Sequence, residues 1–121
     1  MAQPTTVVTP AYPYVEIEFV VGAFHSSTVL AYVDSGFDGY LIIPTAQTSV
    51  LGSPQFSAPW ELGDGSIVQA HEYRGDVLVC GLAVTIAARI TSLGDEYLVG
   101  RGVVDRLRLT FDHGQRLLLA P

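Results

Sequence analysis

Turn-forming residues interrupt this chain so often that no helix of ordinary length fits between them, and this spacing limits the fold more than any other feature. Gly22, Pro44, Gly52, Pro59, Gly65, Gly81 and Gly94 divide it into short runs rich in Val, Ile, Leu and Thr. Within residues 14–22 the apolar Val15, Ile17 and Phe19 alternate with Glu16 and Glu18, the period of a strand with one wet face. Further strands are expected at 28–33 and 40–44, then a helical turn over 45–51 that Thr45 would cap. Residues 52–59, with Gly52, Pro54 and Pro59, read as an irregular loop. Two hairpins follow: one within 60–73 with its tip at Gly63-Asp64-Gly65, and one with arms 75–80 and 82–90 joined at Gly81. The end of the chain supplies a short strand at 96–100, a helical turn over 103–107, and strands at 107–112 and 115–119 around His113-Gly114. At least eight short strands and no long amphipathic helix define an all-β barrel or sandwich with one or two short helices. Residues 1–13, carrying Pro4, Pro10 and Pro13, are expected to be an extended segment, which leaves 14–121 as one domain.

Composition removes several classes of function. Six Arg and no Lys stand against 12 Asp plus Glu, so the formal charge of −6 opposes a phosphate backbone and nucleic acid is not an expected partner. Without lysine there is no Schiff base and no Walker-type phosphate loop. The single cysteine, Cys80, has no disulfide partner in the chain and sits in VLVCGL as a small apolar residue. His25, His71 and His113 are scattered without metal-ligand spacing, so neither a metal nor another cofactor is expected. No Gly-x-Ser-x-Gly elbow supports a serine nucleophile. No apolar run approaches the roughly 18 residues of a membrane span. The start, MAQPTTVVTP, lacks a basic region followed by an apolar one, so a cytoplasmic location is the expectation.

One carboxylate is out of place. Asp34 ends an apolar run and is followed by Ser35 and Gly36; beside a buried strand such a charge is costly unless it is paired, hydrogen-bonded or protonated. Taken alone, the triplet with Asp38-Gly39 after it also reads as a turn.

Two segments together carry a resemblance. VDSGFDGYLIIP (33–44), with apolar residues before and after an Asp-Ser-Gly triplet, and YLVGRGVVDRLRLTFD (97–112), with two apolar residues, Gly100 and Arg101, a short helix and a final strand, look like the two signatures of the retropepsin-like aspartic proteases, most of all the small predicted bacterial members. The resemblance covers 14–119. It implies a closed β-barrel with a flap hairpin, forming one half of a twofold homodimer that acts on a peptide or protein substrate. Asp34 would be catalytic, with Ser35, Gly36, Asp38 and Arg101 supporting its loop and Asp38 paired with Arg101. Gly36, Asp38 and the flap residues Gly63, Asp64, Gly65 and Ser66 would bind substrate, and residues 117–120 would join an intersubunit sheet. Three positions depart from the family pattern: Ser35 where Thr is common, Asp64 in a flap that is more apolar in retroviral relatives, and Gly102 where a polar side chain usually stands.

Physical reasoning supports the dimer independently, because only one Asp-Ser/Thr-Gly triplet is present and a two-carboxylate site therefore needs two chains. At about 4 Å and an effective dielectric near 20, two carboxylates repel by roughly 4 kcal/mol, enough to keep one proton on the pair. The ionised member would activate a water and the protonated one would serve as acid. The alternative is a non-catalytic dimeric β-barrel that binds extended peptides in the same cleft.

Overall fold

A computed structural model describes residues 6–121. Strands β1 (Val7–Val8), β2 (Tyr14–Val21), β3 (Phe24–His25), β4 (Val29–Val33) and β5 (Leu41–Ile43) lead into a 3-10 turn, Thr45–Gln47, and helix α1, Thr48–Leu51. Strands β6 (Phe56–Glu61), β7 (Ile67–Val79), β8 (Val84–Ser92) and β9 (Leu98–Val99) precede helix α2 (Arg101–Val104), and β10 (Arg108–Asp112) and β11 (Arg116–Ala120) finish the chain. The fold is nearly all-β, as the turn spacing requires. Of the expected N-terminal extended segment, residues 1–5 lie outside the described residues; the rest contributes the short β1.

Eight strands form one sheet in the order β3-β2-β4-β9-β5-β8-β7-β6, and an added pairing of β2 with β7 closes six of them into a ring. The alternation in β2 is what fills that ring: Val15, Ile17, Phe19 and Val21 are buried, while Glu16 and Glu18 are half-exposed. Facing them are Leu41, Ile43, Tyr73, Val77, Ile86, Ile90, Val99 and Val103. Tyr73 is fully buried and its hydroxyl donates to the Gly52 carbonyl at 3.3 Å, and among the described residues no buried side-chain nitrogen or oxygen lacks a partner.

Four sequence expectations change. Residues 75–79 of the expected 75–80 arm and the second arm of the first hairpin are one continuous 13-residue strand, β7, because Gly75 keeps its place in the ladder opposite Ala88 instead of ending it. Residues 56–59 are strand, not loop: Pro59 lies opposite Gln69 in β6, an edge strand, where a residue without an N–H costs no ladder bond on the open side. Thr45 does not cap its helical turn; its hydroxyl donates to the Gly94 carbonyl at 3.2 Å and Pro44 stands at the cap position. Finally, β11 is the middle strand of a separate sheet, β1-β11-β10, so both its edges are occupied within one chain and Leu117 and Leu119 are buried in its own core. That leaves no free edge on 117–120 for an intersubunit sheet; the exposed apolar groups of this sheet are Val8 and Phe111 on the flanking strands, with Tyr12 against Phe111.

Candidate active site

The loop that holds Asp34 leaves β4 and returns as β5, and β9 lies between those two strands, parallel to β4 and antiparallel to β5. The second sequence signature is therefore inserted beneath the first. Backbone hydrogen bonds join them: Asp34 N–H to the Val99 carbonyl at 3.0 Å, Gly100 N–H to Tyr40, Arg101 N–H to Phe37 at 2.8 Å and Gly102 N–H to Gly39 at 2.9 Å. An added Cβ at Gly100 would fall on the Phe37 and Gly39 carbonyl oxygens, so only glycine lets the two segments come this close. Gly102 has a matching reason: the Tyr40 ring covers it at the distance where a Cβ would stand. The departure from the family pattern at Gly102 thus accompanies a large neighbour at Tyr40.

Asp34 itself is half-buried, and its Oδ1 accepts from the Gly36 N–H at 2.9 Å while its carbonyl accepts from Phe37 N–H at 3.2 Å. These bonds close a local turn and fix the carboxylate direction, leaving Oδ2 without a described partner. Ser35 and Gly36 are exposed, and Ser35 Oγ makes no hydrogen bond to any described residue. Asp38 and Arg101 are both exposed, and no ion pair within 4.0 Å joins them. The expected pairing fails within one chain because its premise fails: neither charge is desolvated, and the main chain of Arg101 does the linking that its guanidinium was expected to do.

The hairpin of β6 and β7 reaches this loop through one of its arms. Its tip is closed by Leu62 N–H to the Ser66 carbonyl at 2.8 Å and Gly65 N–H to Leu62, with Gly65 at φ +86, a value side-chain-bearing residues rarely adopt. Asp64 folds back on Ser66, accepting from its hydroxyl at 2.6 Å and from its N–H at 2.9 Å. The Ser66 hydroxyl, then its N–H, holds the Asp64 carboxyl below the ordinary carboxylate range. Farther down the hairpin, the Trp60 ring meets Phe37 at 5.4 Å between centroids, so the hairpin arm touches the loop that carries Asp34.

A group of residues that sequence reasoning missed lies beneath that contact. Glu72 is 5% exposed and its carboxylate accepts from Thr91 Oγ1 at 2.9 Å, Trp60 Nε1 at 3.3 Å and Arg89 Nη1 at 3.3 Å. Val68, Ala70 and Glu72 share the face of β7 opposite to Tyr73, so the strand period put an acid in line with two apolar residues. Naming its partners required the register of three strands.

Elsewhere, histidines serve surface pairs: His25 Nε2 lies 2.6 Å from Glu18 Oε1, and His113 Nδ1 2.7 Å from Asp112 Oδ1. Arg116 is bound as well, to Asp112 at 2.6 Å. Burial, with the Glu18 charge adding to it, pushes the Cys80 thiol up from its ordinary range. Iodoacetamide is accordingly expected to alkylate Cys80 more slowly at pH 7.5 than it alkylates free cysteine, because the thiolate is the reactive form. A rate at or above that of free cysteine, read by intact mass, would contradict this.

No family model matches the sequence and no curated protein matches it. Among solved structures, the chain is similar to the crystal structure of a retropepsin-like aspartic protease from Rickettsia conorii, with 15% identity, 99% of this chain and 94% of that chain covered, and a TM-score of 0.63. At that identity the likeness concerns the fold: this chain has a retropepsin-like fold. No helix among the described residues is long and apolar enough to cross a membrane.

Proposed function

We propose that this protein is a homodimeric aspartic endopeptidase in which Asp34 of two chains form the catalytic pair. The observation that carries the reading is the placement of Asp34. In a retropepsin-like fold it follows β4 on a loop strapped by β9 and Gly100, its Oδ1 held by the Gly36 amide and its other oxygen without a partner among the described residues. Two such loops meeting on a twofold axis bring two carboxylates together with one proton between them. The ionised Asp34 takes a proton from a water held between the two as that water attacks the scissile carbonyl, and the protonated Asp34 supplies a proton to the developing oxyanion. Ser35 Oγ, exposed and without a partner among the described residues, is available to bond across the axis. The hairpin tip from Gly63 to Ser66 acts as the flap, excluding bulk water and presenting backbone groups to an extended substrate. Asp38 lines the same loop and contributes to substrate binding.

The test is cleavage of a randomised peptide mixture, followed by mass spectrometry, with and without an inhibitor that mimics the tetrahedral transition state of aspartic proteases. Cleavage that the inhibitor blocks is the expected result; binding of peptides without any cleavage would instead favour the non-catalytic peptide-binding barrel. The half-site on each chain makes a second expectation. Activity per chain should fall on dilution below the dimer dissociation constant, and a monomer by light scattering that retains full activity per chain would overturn the shared site.

A further inference from the structure

Immediately after the Asp34-Ser35-Gly36 triplet, Phe37, Gly39 and Tyr40 form one wall of a cavity of about 360 Å³, and Trp60 of the hairpin arm forms another. Its remaining lining is polar: Glu72, Arg89 and Thr91. This is an aromatic cleft with a charged floor, placed beside the candidate catalytic loop and against the arm of the β6–β7 hairpin.

The floor is not electrically balanced. Glu72 is nearly saturated, since three donors already occupy its carboxylate. Arg89 is not: its side chain remains 47% exposed, and Glu72 engages only one of the five N–H donors a guanidinium carries. Directly across the ladder from Arg89 stands Arg74, a pairing of like charges that ordinarily destabilises a sheet. The two guanidiniums lie over the same Phe56 ring, Arg89 at 4.2 Å and Arg74 at 5.0 Å from its centroid, and Arg74 has no carboxylate within 4.0 Å among the described residues. Two of the six arginines of a chain with a formal charge of −6 are thus held side by side, Arg89 lining the aromatic cleft next to a single buried acid, Glu72. The capacity left over at this place is donor capacity and positive charge.

We propose that this cavity is a specificity pocket for an acidic side chain of the peptide substrate, with Phe37, Tyr40 and Trp60 covering its methylenes and Arg89, supported by Arg74, binding its carboxylate. Glu72 is a positioning residue: it tethers Arg89 and Trp60 and competes for the guanidinium with the incoming acid. A glutamate side chain fits this combination, having an apolar stem and a planar carboxylate that the guanidinium fork can engage in two parallel bonds. The assignment rests on the reading of the site as one that accepts extended peptides.

Trp60 is the sole tryptophan of the chain, so its fluorescence reports occupancy of this pocket without any need for turnover. The experiment titrates full-length Asp34→Asn protein with capped octapeptide libraries, randomised except for one position fixed as Glu or as Gln, and profiles wild-type cleavage of the same libraries. At one position the Glu library is expected to bind about tenfold or more tighter than the Gln library, a preference that shrinks as salt rises. Arg89→Gln should abolish the preference and Arg74→Gln reduce it several-fold, while Arg106→Gln, at an exposed position, leaves it intact. Glu72→Gln should strengthen the preference by releasing Arg89, a change that a merely structural role for Glu72 would not produce. Equal affinity for Glu and Gln libraries at every position, absence of binding, or a preference that survives Arg89→Gln would overturn the assignment. The two readings fail separately: a Glu preference in binding with no cleavage by wild type removes the peptidase and leaves the pocket, whereas cleavage with no Glu preference at any position does the reverse.

Discussion

Replacing Asp34 by asparagine is expected to lower peptide cleavage by about two to four orders of magnitude, the usual contribution of a positioned general base, while leaving the fold in place. The second half of that expectation comes from the geometry of the turn. The contact that holds the side chain is Gly36 N–H to Oδ1 at 2.9 Å, and the carboxamide oxygen of asparagine accepts the same bond. The backbone bonds from Asp34 to Val99 and from Phe37 to Asp34 do not involve the side chain at all. Stability should therefore change by no more than about 0.5 kcal/mol, as for substitutions that break no buried contact. What asparagine cannot do is accept a proton from water at neutral pH or carry the shared proton of a dyad. Steady-state rates and thermal unfolding of the same preparation separate the outcomes. Cleavage near the wild-type rate would remove Asp34 from the chemistry, and lost activity accompanied by a large fall in melting temperature would show damage to the loop instead of loss of the base.

Where the sequence could be read and where it could not follows from the range of the interactions involved. Strand β2 was legible because burial in a ring of strands imposes a period of two, and Val15, Ile17 and Phe19 obey it. The position of Asp34 in a loop between two strands was legible because turn-forming residues follow an apolar run there. Pro59 misled because a proline reads as a break unless its strand is known to lie at an edge, a property of the sheet and not of the segment. The anticipated pairing of Asp38 with Arg101 placed two charges near a cleft and assumed that they were desolvated; exposure of both removes the force that would pair them. The sense in which the two signatures meet was sound, yet backbone amides and carbonyls join them, and main-chain partners are identical at every residue and so leave no mark in a sequence. Glu72, Arg89 and Trp60 come from three strands, and only the registers Trp60 opposite Val68 and Glu72 opposite Thr91 bring them to one place.

Gly100→Ala is expected to cost about 2 to 3 kcal/mol, the upper part of the range for overpacking, and to lower the melting temperature by about 10 °C. The position isolates steric clash from backbone preference. Gly100 has φ −104 and ψ −170, extended values that alanine adopts without strain, so the whole penalty comes from what the new methyl meets. It meets the carbonyl oxygens of Phe37 and Gly39, which are themselves fixed by the amides of Arg101 and Gly102. Neither oxygen can retreat without breaking the bond that straps the loop to α2, and the Phe37 ring stands against the same point, so rotamer changes offer no relief. Because that loop also carries Asp34, the displacement should reach the candidate site, and cleavage should fall further than the loss of folded protein accounts for. Gly63→Ala is the matched control: an added Cβ there meets nothing within 4 Å, and the smaller entropy of the unfolded chain should leave stability unchanged or slightly raised. Thermal unfolding of the two variants beside wild type decides the matter. Equal melting temperatures for Gly100→Ala and Gly63→Ala would mean that β9 and the Asp34 loop are not held at the contact distance described, and the account of how the two signatures are joined would fall with it.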